Sequence, residues 1–162
     1  MKQKNTPLII AAVICVLSLA VMVFALSRTG TAVGEFVPPE FDPAAQSGTP
    51  SVPSGLGWSE LDAQAFKVSV CGVVVPVENR AMVWLTNPAG NEVWLKLRIL
   101  DEKGNILGES GLIRPGEYVE AVELTEVPKS GTPITLKLMA YEPETYYSAG
   151  AVALNTTIGG AN

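Results

Sequence analysis

The stretch EVWLKLRIL, Glu92–Leu100, alternates strictly. Val93, Leu95, Leu97 and Ile99 fall on one side, and Trp94, Lys96 and Arg98 on the other. A period of two suits a strand with one face buried, and a helix cannot satisfy it. DEKGN, Asp101–Asn105, then reverses the chain. The pattern recurs in both directions. Upstream, Ala65–Val75 begins with Phe66, Val68 and Val70 on one face and Lys67 and Ser69 on the other, and Ala81–Thr86 ends in the turn NPAGN. Downstream come Ile106–Gly108, the turn RPGE (Arg114–Glu117) and Tyr118–Leu124. Pro115-Gly116 suits a type II turn, with glycine at positive φ. After the loop VPKSGTP, Ile134–Tyr141 points Ile134, Leu136, Leu138 and Ala140 inward, and Ala151–Ile158 points Val152, Leu154, Thr156 and Ile158 to one face. Seven short strands with frequent turns predict an all-β, immunoglobulin-like antiparallel sandwich over residues 58–162.

The chain is 48% hydrophobic but only 17% charged, and the imbalance comes mainly from its beginning. Leu8–Leu26 is 19 residues without a charge, long enough for a transmembrane helix. Lys2 and Lys4 precede it and only Arg28 follows closely, so the positive-inside rule puts the N-terminus in the cytoplasm and the C-terminal domain outside. The competing reading is a cleaved signal peptide, although the apolar run is long for one and VFALS offers no clean small-x-small site. Residues 27–57 are rich in proline and glycine and lack an apolar period, which predicts a disordered linker or stalk. The expected layout is a cytoplasmic tail over 1–7, an anchor over 8–26, the linker over 27–57 and the sandwich over 58–162. Cys15 lies within the anchor. Cys71 is the single cysteine beyond it, so the domain has no internal disulfide.

Val93–Leu124, VWLKLRILDEKGNILGESGLIRPGEYVEAVEL, resembles the central strands of small bacterial extracellular Ig-like domains of the FxLYD kind. The matching parts are Leu97–Asp101, Gly104, Ile106–Gly108 and Pro115-Gly116-Glu117. The aromatic residues of that pattern are missing around Asp101, where Ile99 and Leu100 stand. The resemblance covers about a third of the domain and is structural. With the anchor-and-stalk layout, it implies a surface or envelope accessory protein of a Gram-positive bacterium.

No histidine occurs anywhere, which removes the usual general base and most zinc sites. Residues 58–162 carry thirteen acids and eight bases, a balance that argues against nucleic acid as a partner. Asp101, Glu102 and Asn105 invite a calcium loop, but Lys103 occupies a position where an oxygen ligand is needed. Asn155-Thr156-Thr157 is a formal glycosylation sequon inside an apparent strand. The stretch AYEPETYYSAG, Ala140–Gly150, is the densest in aromatic residues. Tyr141, Tyr146 and Tyr147 there suit a recognition surface, and equally a packed corner between the last two strands. Trp84 and Trp94 lie opposite their strands' main apolar faces, where they would form an exposed platform or, with one face reversed, core. Glu142 and Glu144 as an acid/base pair lack any accompanying site.

The expected function is therefore a membrane-tethered extracellular binding or structural module, not an enzyme, with no cofactor or metal. Its partner would be a protein or the cell wall, with Tyr141, Tyr146, Tyr147, Trp84 and Trp94 as candidate contacts. Two alternatives stay open: a cell-wall hydrolase using carboxylates, and a transmembrane accessory subunit acting through its span.

Overall fold

A computed structural model describes the backbone of residues 6–28 and 36–159, with side chains over 13–24 and 36–159. The chain divides into two units, Met1–Val37 and Pro38–Asn162. In the first, helix α1 runs Thr6–Arg28. Among the described residues no helix is long and apolar enough to cross a membrane. Residues 1–5 of the expected tail and 29–35 of the expected linker lie outside the described residues.

The second unit is a sandwich of two antiparallel sheets containing all ten described strands. In chain order these are β1 (Gln46–Ser47), β2 (Trp58–Asp62), β3 (Lys67–Cys71), β4 (Val75–Val77), β5 (Arg80–Thr86), β6 (Trp94–Leu100), β7 (Ile106–Glu109), β8 (Glu117–Glu123), β9 (Pro133–Tyr141) and β10 (Ser148–Thr157). One sheet has the order β1-β8-β5-β3-β2, with β4 also paired to β5; the other is β10-β9-β6-β7. All seven expected strands are present with shifted ends. The expected strand 65–75 is two strands, because the chain leaves β3 at Gly72, whose N–H donates to the Gly57 carbonyl at 3.1 Å.

The alternation places the core where it was expected. Leu95, Leu97 and Ile99 of β6 and Leu136 and Leu138 of β9 are fully buried, facing Val68, Val70, Val83, Leu85 and Val119 of the other sheet. Strands β6 and β9 pair without interruption from Trp94↔Tyr141 to Leu100↔Thr135. The RPGE turn forms as expected: the Glu117 N–H donates to the Arg114 carbonyl at 3.0 Å, and Gly116 takes φ = 79°.

The linker boundary needs correction. Pro38–Gly57 belongs to the sandwich unit. Phe41 bridges Leu112 in parallel; the Asp42 N–H donates to the Leu112 carbonyl at 2.9 Å, and the Leu112 N–H to Glu40 at 2.9 Å. Asp42 Oδ2 accepts the Gly111 N–H at 2.8 Å. Gly111 is required there because a Cβ would collide with the Asp42 backbone. Farther on, β1 pairs with the start of β8. Specific hydrogen bonds and one close glycine contact hold this segment, which has no apolar period to announce it.

Polar side chains fix the NPAGN connection between β5 and β6. Asn87 is fully buried, and its amide donates to the carbonyls of Val93 (2.8 Å) and Ile113 (3.1 Å). The Asn91 amide donates to Asn87 Oδ1, and Asn91 Oδ1 accepts the Lys67 N–H. A buried amide with these bonds made is tolerated; one left unpaired would cost about 1–3 kcal/mol.

Candidate binding surface

Trp94, Lys96 and Arg98 occupy the outward face of β6. Trp94 pairs in register with Tyr141, and Arg98 with Lys137. At the Trp94 end three rings meet in a row. Phe41 approaches Trp94 edge-on, with centroids 4.8 Å apart and planes at 74°, and Tyr146 makes a second edge contact with Trp94 at 5.3 Å and 63°. Edge-to-face pairs align the positive rim of one ring with the negative face of the next and contribute about 0.5–1.5 kcal/mol each beyond area burial. The Arg114 guanidinium lies 3.6 Å over the Phe41 ring and extends the row by a cation–π contact.

The turn joining β9 to β10 positions the tyrosines. The Glu142 N–H donates to the Tyr147 carbonyl at 2.8 Å, and the Tyr146 N–H to the Glu142 carbonyl at 3.0 Å. The Thr145 hydroxyl donates to Glu142 Oε2 at 3.1 Å. Glu144 and Tyr146 both take left-handed backbone, φ = 66° and 57°, which costs a non-glycine residue about 1–3 kcal/mol. Tyr146 is half-buried against Trp94, whereas Tyr147 is 71% exposed. Tyr141 is half-buried, with its hydroxyl 3.7 Å from Met139 Sδ.

Four of the five expected contact residues, Tyr141, Tyr146, Tyr147 and Trp94, thus come together around one end of β6 and β9. Trp84 does not join them. It lies on β5, in the other sheet, and is only 7% exposed. A bulge between Met82 and Leu85 places it at φ = 43°, and its carbonyl accepts the Trp58 indole N–H at 3.0 Å and the Thr86 hydroxyl at 3.2 Å. An exposed platform including Trp84 is therefore ruled out. Phe41 and Arg114 join the surface from outside the expected set: Phe41 belongs to the expected linker and Arg114 to the RPGE turn.

Below the aromatic row, Glu109 clamps two bases of β6. Lys96 Nζ donates to Oε1 at 3.0 Å and Arg98 Nε to Oε2 at 2.8 Å. Burial pushes the Glu109 carboxyl up, but the hydrogen bonds from Arg98 and Lys96 outweigh it and hold the group below the usual carboxylate range. Asp101 accepts the side-chain and backbone N–H groups of Asn105 and the N–H of Lys103, which hold its carboxyl low and commit it to the hairpin turn. Among the described residues no group of three or more cysteine, aspartate or glutamate side chains is placed to hold a metal ion. A groove of about 510 Å³ is lined by residues including Asp42, Arg80, Glu109, Glu120 and Glu123; Glu142 and Glu144 are not among its walls.

No family model and no curated protein matches the chain. A solved structure, the crystal structure of CopC from Methylosinus trichosporium OB3b, is 14% identical with a TM-score of 0.37, covering 65% of this chain and 96% of that one. At that identity and score the likeness bears on neither ligand nor activity.

Proposed function

We propose that this chain is a membrane-tethered, non-enzymatic extracellular binding module of a bacterial envelope. Its contact surface is the end of the sandwich carrying Trp94, Tyr141, Tyr146 and Tyr147, with Phe41 and Arg114 alongside. The observation that carries the reading is Tyr147, 71% exposed on a turn that packs its neighbour Tyr146 edge-on against Trp94. A large amphipathic ring on a fixed support is a common recognition element, because little side-chain freedom is lost on contact. The partner is a protein or the cell wall.

An immunoglobulin-like connectivity supports the reading. Taken as strands A, B, C, C′, E, F and G, strands β3, β5, β6, β7, β8, β9 and β10 give the orders E-B-A and G-F-C-C′. The resemblance of Val93–Leu124 to FxLYD-type domains points to a Gram-positive surface. Anchoring through α1 is supported by the uncharged run Leu8–Leu26 and by the described side chains over 13–24, which are all apolar except Ser18 and all exposed.

The test compares the full chain with a Trp94→Ala/Tyr146→Ala/Tyr147→Ala variant for binding to isolated cell envelopes, split into membrane and wall fractions. Loss of binding with unchanged far-UV circular dichroism is expected; retained binding would refute the surface. Topology is checked separately with Ser51→Cys in a Cys15→Ser background. A membrane-impermeant thiol reagent is expected to label it in intact cells, and no labelling would overturn the outward orientation.

A further inference from the structure

Strand β10 ends the four-stranded sheet, with β9 on one side. From Ser148 to Gly159 the sequence SAGAVALNTTIG contains no charged residue. The other strands at sheet margins are each guarded. β1 is two residues long. β2 carries Glu60 and Asp62, with Glu60 paired to Lys67 at 3.0 Å. β4 is three residues with Pro76 at its centre. β7 abuts β8 so closely that a Cβ on Gly108 would collide with the Glu123 carbonyl, and the Thr125 N–H reaches the Leu107 carbonyl at 2.8 Å. Short length, charge, proline and cover are the devices by which sheets prevent edge-to-edge pairing.

The central part of β10 has none of these devices. Its far end is tied down: Ile158 bridges Val74, the Gly159 N–H donates to the Val74 carbonyl, and the Thr156 hydroxyl to the Gly72 carbonyl. Near its start the register with β9 shifts between Ser148 and Gly150. Ala151–Asn155 remains, with no ladder partner on its outer side among the described residues. The core is also thinner there. Ala149, Val152 and Leu154 pack on it but stay only partly buried, whereas Ile134, Leu136, Leu138 and Ala140 of β9 are at most 2% exposed. Another strand alongside β10 would complete their cover.

We infer that Ala151–Asn155 pairs with the same segment of a second copy, antiparallel about a twofold axis. Charge permits this occupant. About a twofold, residue i of one copy faces residue j of the other and j faces i, and the residue on the axis, here Ala153, faces its own copy, where a charge would meet its like and destabilise the pair. An edge without charge is the kind that can pair with itself without that penalty. It also gives two chains of net charge −5 an uncharged place to meet.

The test uses the full chain in detergent, in a Cys15→Ser background because Cys15 is the exposed thiol and Cys71 is buried. Single substitutions Ala151→Cys, Ala153→Cys and Asn155→Cys are oxidised mildly. Disulfide-linked dimers are expected from at least one of them and not from Ser59→Cys on β2. In a second arm, Ala153→Glu and Ala153→Lys are compared by sedimentation. Ala153 pairs with Lys137 across β9, so Ala153→Glu gains a counter-charge within its own chain while two such copies repel. Each variant alone is expected to lower the dimer fraction at least tenfold, and an equimolar mixture to restore it. The inference is overturned by cross-linking at none of the three positions, by dimers indifferent to both charges, which would place association elsewhere, or by cross-linking of β10 only to a different protein.

Discussion

Strand β9 buries Ile134, Leu136, Leu138 and Ala140 on one face, between β6 and β10, and contributes to a core shared by both sheets. Pro38–Gly57 lies in the same compact unit but contributes little to that core; Ala45 packs against it from the side. A few directed contacts hold it: Asp42 on Gly111, Glu40 and Asp42 on Leu112, β1 on β8, and Phe41 on Trp94. The first kind of attachment is spread over many atoms and is cooperative with the fold. The second is local, and a single atom can break it.

The contrast can be broken or sharpened by substitution. Leu138→Ala leaves a cavity in a fully buried site, with an expected loss of about 2–5 kcal/mol of global stability. Urea unfolding followed by tryptophan emission and by circular dichroism is expected to shift together. Gly111→Ala forces a methyl group into the Asp42 backbone and is expected to cost about 1–3 kcal/mol, mostly as detachment of residues near Glu40–Asp42. Chymotrypsin would then cut after Phe41 while the core transition barely moves. A global loss as large as that of Leu138→Ala would show that the two regions are not different in kind. Asp42→Ala removes the acceptor for the Gly111 and Ala44 N–H groups, with an expected effect of about 0.5–1.5 kcal/mol and the same, milder, cleavage.

A pH-dependent effect is expected just past Gly57, where β2 pairs with β3 at Trp58↔Cys71. Burial pushes the Cys71 thiol up to about 11, from 9.0. The fold thus favours the protonated thiol, a contribution complete below pH 9.0 and lost as the pH rises through about 11. Lys67 titrates in the same alkaline region, its ammonium held up by the Glu60 hydrogen bond, so the difference between wild type and Cys71→Ala isolates the thiol. Urea midpoints are expected to converge as the pH approaches 11, and a constant gap would mean that the thiol is not desolvated.

Strands β6 and β9 were legible because each alternates over its full length, and the RPGE turn because proline and glycine occupy the positions its dihedral angles require. Strand β2 was missed because WSELD alternates only weakly. The burial of Trp84 is not encoded in its strand position: it is 7% exposed in the folded sheet, and its carbonyl accepts the indole N–H of Trp58, 26 positions away. The same limit applies to the candidate surface. Trp94, Tyr141, Tyr146 and Tyr147 could be picked out by residue type and strand position. Phe41 reaches the row where Gly111 lets the Asp42 backbone approach, and Arg114 follows Ile113, which bridges Leu95; no local pattern encodes that juxtaposition.

The left-handed residues of the Glu142–Tyr147 turn have a consequence for selection. Folding stability alone favours glycine or asparagine at 144 and 146. The chain instead places a bulky ring at 146 in a conformation its backbone disfavours, and the hydrogen bonds of the turn together with the Trp94 contact keep it there. Tyr146→Gly would relax the backbone and delete the ring in one step, so this position separates what the fold prefers from what the surface displays. With its conformation already set, the turn leaves a docking partner little chain entropy to remove, and affinity there would be governed by ring contact and desolvation rather than by ordering.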